Sequence, residues 1–450
     1  MGENDGASQL QAGLNRALGR AGLGEAAGLV RLTGGATMES WRFSADGEDC
    51  VLRRAPSLAM MEDRPFGHPT EAAIIRAARA AGVTAPEVVV ELEEADGIGS
   101  GFVMRALPGT PDPRAILASA SPAQSVQQAA KDLARIHSLD AADLPDEIPT
   151  LEYREGIEKL REQFEEAGGD RPIIALGLRW LVDNVPEPVD PVLNHGDYRL
   201  GNLLVEDSEL TGVLDWELAH FGDWHEDLAF GCMPVWRFGA YDKPALGLGS
   251  LEEYFSAYEA AGGRPVDPAR FRFWTIYRTV WWALGCLKNA RVWREGQDRM
   301  LERVVISRRT SEQELDLLLL IEEAKGVTIK WPDALPKWSM PESKAEGEAL
   351  DREIVEAVAE WLATLKDKVE GHDRFQLAVA RNALAIVTRD LVCPRYAADV
   401  GYSESILAGE TDIFSSGERL RLIRHNALEK CRVDSPKYPS IPIARARWMG

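Results

Sequence analysis

The chain has 450 residues, 45% of them hydrophobic and 27% charged, which is enough ordinary globular sequence for two or three domains. Its net charge of −21 speaks against a nucleic-acid binder, which needs a basic face to replace phosphate counter-ions, and suits solvated acidic surface or a cationic substrate. Cys50, Cys232, Cys286, Cys393 and Cys431 are scattered, with no Cys-x-x-Cys pair, so a disulfide framework or zinc knuckle is not expected and a reducing compartment fits.

Glu3 and Asp5 precede any apolar segment, so no signal peptide is expected. The apolar stretches at 279–287 and 317–321 are too short for a membrane span. The expected location is the cytoplasm. Leu10, Leu14 and Leu18 predict a leading helix over residues 8–23. Two strands should flank Thr33-Gly34-Gly35-Ala36-Thr37, and Asp46-Gly47 is a hairpin turn before the strand Cys50-Val51-Leu52-Arg53-Arg54. A helix over 70–81 and strands near 87–92 and 102–105 complete a small, mostly antiparallel sheet. Leu107-Pro108-Gly109 reads as a connector.

Beyond it the periodicity is helical, over 125–137, 151–167, 172–184, 251–261, 268–290 and 311–324. A Pro-, Lys-, Glu- and Ser-rich segment then precedes three amphipathic stretches, the first presenting Ile354, Val358, Trp361 and Leu365 on one face. The organisation expected is a nucleotide-binding lobe at 1–106, a catalytic and substrate lobe at 107–330, a linker at 331–349 and a helical accessory domain at 350–450.

The helical region is interrupted by Asn194-His195-Gly196-Asp197-Tyr198-Arg199-Leu200-Gly201-Asn202, an apolar run, a polar turn, and Gly212-Val213-Leu214-Asp215-Trp216-Glu217. A strand-loop-strand hairpin would gather Asp197, Asn202 and Asp215. Asp197 can orient an attacking hydroxyl and accept its proton, while the Asn202 oxygen and the Asp215 carboxylate hold Mg²⁺ against nucleotide phosphates. The Asp-x-x-x-x-Asn spacing equals that of the protein-kinase catalytic loop. From Leu200 to Trp236 there are eight acidic residues and no Lys or Arg, which suits a cation site. Two glycines, Gly34 and Gly35, with Thr37, would let backbone N–H groups approach phosphates.

Together with Gly222-Asp223 and Asp227-Leu228-Ala229, these motifs resemble the aminoglycoside phosphotransferase-like (choline-kinase-like) family of small-molecule kinases. The likeness is greatest to the phosphotransferase domains associated with acyl-CoA dehydrogenases, in which Gly-Gly-Ala-Thr, Val-Leu-Arg-Arg and His-Gly-Asp-Tyr-Arg-x-Gly-Asn recur. It covers residues 25–325. The C-terminal segment resembles a helical domain of unassigned function found beside such phosphotransferases.

The resemblance implies an α+β, two-lobed protein-kinase-like fold followed by a helical bundle. It further implies ATP- and Mg²⁺-dependent transfer to a hydroxyl of a small molecule, with a hydroxyacyl-type catabolic intermediate as the acceptor and an acyl-CoA dehydrogenase as a pathway partner. No nucleic-acid or membrane partner is expected. Arg53 stands where most kinases have Lys; alternation leaves Arg54 as the other choice, and Glu71 is the partner that would fix the side chain. Met104 and Ala106 fall where the adenine edge should meet backbone groups. Arg199 would bind substrate or steady the transferred phosphate, and Glu217 would touch metal-bound water or substrate. Asp223 and Asp227 read as braces for the loop after Asp215. Of six tryptophans in the large lobe (Trp216, Trp224, Trp236, Trp274, Trp281 and Trp282), most are expected in the core. The alternatives are a nucleotide-binding pseudokinase with a partner-recruiting helical domain, an antibiotic kinase of the aminoglycoside type, and a metal-dependent hydrolase using His195, His220 and His225.

Overall fold

The computed structural model describes residues 3–32, 38–61, 64–119, 121–330, 349–393 and 400–449. Helix α1 (Glu3–Arg20) leads into strands β1 (Ala27–Arg31), β2 (Glu39–Ala45) and β3 (Glu48–Ala55), then α2 (His68–Ala80), β4 (Val88–Glu91) and β5 (Ser100–Arg105). The five strands form one antiparallel sheet in the order β1-β2-β3-β5-β4. Asp46 and Gly47 both take positive φ, at 53° and 83°, so the two-residue turn matches strand twist and sets the β2–β3 register.

The two faces of the sheet have separate cores. Leu10, Leu14 and Leu18 of α1 pack with Phe43, Cys50, Leu52 and Val103 on one face. Ile74, Ile75 and Ala78 of α2 pack with Phe102 on the other. Strand alternation therefore sends Arg54 to the α1 side with Leu52, and Arg53, opposite Phe102 in the register, to the α2 side.

The chain continues through α3 (Pro113–Leu117), α4 (Pro122–Ile136), α5 (Tyr153–Glu166), α6 (Pro172–Asp183) and β6 (Val192–Asn194). Next come the hairpin β7 (Leu203–Glu206) and β8 (Glu209–Val213), β9 (His220–Gly222), α7 (Trp224–Phe230), α8 (Leu251–Ala260) and α9 (Pro268–Arg294). Helices α10 (Leu301–Arg308), α11 (Thr310–Ala324), α12 (Asp351–Ala363), α13 (Gly371–Asp390), α14 (Val400–Leu407), α15 (Gly417–Asp434) and α16 (Ser440–Met449) finish it. The architecture is α+β, an antiparallel-sheet lobe followed by a helical remainder.

Two compact units result: residues 1–152 with 188–271, and residues 153–187 with 272–450. Among the described residues the second holds helices and no strand. There α11 carries buried polar side chains to α15 and α16: Arg424 donates to Glu322, Trp448 Nε1 to the other Glu322 oxygen, and Tyr438 and Ser440 to Asp316. The helices that follow the 331–349 segment thus pack on a helix that precedes it. On α12 the predicted apolar face is not covered: Ile354, Val358 and Trp361 are 54%, 42% and 61% exposed. Trp216, Trp224, Trp236 and Trp274 are buried, as expected of core aromatics. No helix among the described residues is long and apolar enough to cross a membrane.

Candidate active site

Strand β6 pairs with β9, and the loop leaving β6 holds Asp197. Its backbone is fixed by a carboxylate distant in sequence. Asp227, fully buried on α7, accepts from the backbone N–H of His195 at 2.5 Å and of Gly196 at 2.8 Å. Burial alone would raise its pKa, but the bond to His137 and the Gly196 N–H outweigh it and hold the carboxyl at about 2. Asp227 therefore braces the loop before Asp197. The expectation that it braces the loop after Asp215 is corrected, because its bonds run back to β6. Gly196 has φ +82°, and a Cβ there would lie 2.2 Å from the Leu218 carbonyl oxygen, so only glycine fits this turn.

His195 is buried beneath the loop. Its ring lies 4.6 Å from that of Trp216, Nε2 donates to the Leu214 carbonyl at 3.1 Å, and Nδ1 accepts from the Asp197 N–H at 3.2 Å. Burial lowers its pKa, consistent with a neutral ring whose two nitrogens are both spent. It links the Asp197 loop to the strand that delivers Asp215.

Asp197 itself is held by two neighbours. Arg199 Nε donates to Oδ1 at 2.7 Å and Nη2 to Oδ2 at 3.1 Å, while Asn202 Nδ2 donates to Oδ2 at 2.6 Å. Burial, helped by the charge of Asp215, pushes the Asp197 carboxyl up to about 6 despite Arg199. The Arg199 guanidinium rests on Trp236, 4.3 Å from the ring centroid. Because Asn202 spends its amide N–H on Asp197, its Oδ1 faces away and accepts no hydrogen bond among the described residues.

Asp215 follows β8 with φ +69°, a conformation that costs a non-glycine residue energy and that recurs at functional sites. Its Oδ1 accepts from Arg53 Nη2 at 2.7 Å, and its side chain is 32% exposed. Arg53 also reaches Glu217 Oε2 at 2.6 Å, and its Nε lies 3.2 Å from Glu71 Oε1, an ion pair whose angle is too poor for a hydrogen bond. Glu217 has a second cation, Arg64, at 2.7 Å. Burial raises Glu71 to about 7 against the pull of Arg53. His68, one turn earlier on α2, is lowered to about 4 by burial and by the charges of Arg53 and Arg64.

The structure thus forms two side-chain groups, Arg53 with Glu71, Asp215 and Glu217, and Asp197 with Arg199 and Asn202, joined through the Leu214 backbone, whose N–H donates to the Asn202 carbonyl and whose carbonyl accepts from His195. Arg54 is elsewhere, paired with Glu39 at 2.7 Å and donating to the Ile98 carbonyl. Gly34, Gly35 and Thr37 lie outside the described residues. Met104 pairs with Val51 in β5, and the Ala106 N–H is taken by the Asp49 carbonyl at 2.9 Å, so Ala106 can offer a ligand only its own carbonyl. Arg64 and Trp236 were not singled out from sequence as partners of the site. Arg64 lies in a loop without periodicity, and Trp236 read as core.

His220 and His225 do not join His195. His220 bonds the Leu218 carbonyl and Glu226, and His225 bonds Asp223 and the Asp267 N–H. Among the described residues no three His, Cys, Asp or Glu side chains converge as a metal site. A hard cation takes oxygen donors of the kind offered by the amide Oδ1 of Asn202 and the Oδ2 of Asp215, which accept no hydrogen bond among the described residues.

A sequence model of the phosphotransferase enzyme family matches residues 28–274, more than half of the chain. The chain belongs to this family. As an enzyme this phosphotransferase is a small-molecule kinase of the aminoglycoside phosphotransferase type. It is similar to mouse acyl-CoA dehydrogenase family member 10, 32% identical over 234 residues, and to chicken acyl-CoA dehydrogenase family member 11, 28% identical over 229. Those matches cover 46% and 47% of this chain but only 21% and 28% of the relatives, so the chain spans less than a third of their length.

Among solved structures, a Ralstonia eutropha protein assigned as an aminoglycoside phosphotransferase superposes with TM-score 0.55 at 20% identity, covering 70% of this chain and 98% of that one. A thermostable mutant of aminoglycoside phosphotransferase APH(4)-Ia, in ternary complex with AMP-PNP and hygromycin B, gives 0.50 at 16%, covering 71% and 100%. At such identities the likeness is one of fold.

Proposed function

We propose that the phosphotransferase moves the γ-phosphoryl group of ATP to a hydroxyl of a hydroxyacyl-type catabolic intermediate. The observation that carries this reading is the Asp197 carboxylate, clamped by Arg199 and Asn202 within reach of the charge of a second carboxylate, Asp215, one oxygen of which has no partner among the described residues. Asn202 Oδ1 and Asp215 would hold Mg²⁺, which supplies charge neutralisation on the phosphates when bound.

Asp197 orients the acceptor hydroxyl and takes its proton as the oxygen bonds to the γ-phosphorus and the bond to the bridging oxygen breaks. Arg199, with Nε and Nη2 both on Asp197, is its positioning residue. Arg53 contacts phosphates through its fork, with Glu71 holding its stem. Met104 with the Ala106 carbonyl borders the adenine. On this reading residues 1–106 are the nucleotide lobe, 107–330 the catalytic and substrate lobe, and 350–450 an accessory domain beyond a 331–349 linker, in a cytoplasmic enzyme. The acyl assignment is supported by the names of the mouse and chicken relatives.

ATP consumption measured against a library of hydroxylated acyl-CoAs and aminoglycosides, with ³¹P NMR of the product, tests it. Turnover with a hydroxyacyl compound, lost in Asp197→Asn, is the expected result. Turnover with aminoglycosides alone would replace the acceptor, and equal rates in both proteins would remove Asp197 from its role.

A further inference from the structure

Arg53 serves three carboxylates at once, and one of them has another use. Its Nη2 lies 2.7 Å from Asp215 and 2.6 Å from Glu217, while Nε faces Glu71 at 3.2 Å. We infer that Arg53 is a built-in counter-ion for Asp215, drawn off by nucleotide phosphates, so that a divalent cation binds there only together with nucleotide. The inference rests on the kinase reading above and adds an order of binding to it.

A guanidinium cannot lose its proton under any ordinary condition, so the positive charge beside Asp215 is permanent. A divalent cation placed on the same carboxylate meets that charge at short range, where shielding by water is incomplete because Arg53 is only 13% exposed. Phosphate oxygens offer the fork a two-pronged, charge-assisted alternative.

Arg64 makes the release selective. When Arg53 turns to phosphate, Glu217 keeps Arg64 at 2.7 Å, and Asp215 alone loses its cation. The poorly aligned contact to Glu71 holds the stem of Arg53 without fixing its head. Asp215 and Glu217 share the one nitrogen Nη2, so a single turn of the guanidinium releases both.

Mn²⁺ titration of the full chain, followed by electron paramagnetic resonance with and without AMP-PNP, tests the inference. Wild type should bind Mn²⁺ at least tenfold more tightly with AMP-PNP than without. Arg53→Met should bind Mn²⁺ alone at least tenfold more tightly than wild type, and gain less from AMP-PNP. Since Arg53→Met leaves Glu71 buried without its cation, Arg53→Met with Glu71→Gln is run beside it and should behave alike. Arg54→Met should match wild type. Equal affinities for Mn²⁺ alone in wild type and both Arg53 variants would overturn the counter-ion role while leaving the kinase reading intact. A wild type that takes up no Mn²⁺ with AMP-PNP would overturn both.

Discussion

The surroundings of the β6–β7 loop and helix α11 both bury carboxylates, yet they use them differently. On α11 each oxygen is spent on a structural partner: Asp316 on Tyr438 and Ser440, Glu322 on Arg424 and Trp448. Around the loop Asp227 is spent in the same way, on two backbone N–H groups, but Asp215 and Asn202 each retain an oxygen without a partner among the described residues. Burial of charge is thus no mark of a site by itself. What separates these carboxylates is the Asp215 oxygen left without a partner among the described residues; on α11 the orphaned oxygen is the amide Oε1 of Gln313.

Mutations can break this contrast. Asp197→Asn should lower phosphoryl transfer roughly 10²- to 10⁴-fold with little change in thermal stability, since the amide keeps the shape of the group. A comparable loss of stability would place Asp197 with the structural carboxylates. Asp227→Ala should cost about 3 kcal/mol in denaturant unfolding, because two buried N–H donors lose a charged acceptor. Asp316→Ala should cost about 2 kcal/mol by the same measurement while leaving AMP-PNP affinity unchanged. A matching fall in affinity would show that the helical unit is not merely structural.

The pH dependence sharpens the same contrast. Asp197 titrates near 6 in the fold, so the rate should fall as pH drops through about 6, tenfold per unit below it. Because that value lies above the unfolded one, about 3.9, its stabilising effect is complete below pH about 4 and disappears as pH rises through about 6. Asp227 behaves oppositely: held at about 2, it stabilises the fold above pH about 4 and stops doing so only as pH falls through about 2. A rate profile flat from pH 5 to 8 on a logarithmic scale would remove Asp197 as the proton acceptor. The smallest effect is expected for Arg54→Met, under about twofold in nucleotide affinity, because its partners are Glu39 and Ile98 on the far sheet face.

Several features could be read before any coordinates. Leu10, Leu14 and Leu18 mark α1, Asp46-Gly47 marks the hairpin, and the spacing of Asp197, Asn202 and Asp215 marks the site, because period and turn chemistry act over a few residues. The choice between Arg53 and Arg54 was open until the register with Phe102 fixed which face each takes. The uncovered apolar face of α12 shows the same limit. Periodicity identifies a face but not what, if anything, packs on it.

The amino-acid order by itself determined the family, the sheet-then-helix architecture and the candidate catalytic set. Only the tertiary structure decided which charges neutralise one another: Arg53 with Asp215 across 162 positions, Arg64 with Glu217, and Asp227 with the loop it holds. Local preferences follow from neighbours along the backbone, whereas Coulomb attraction and hydrogen bonding depend on separation in space, which the chain sets only when it has folded.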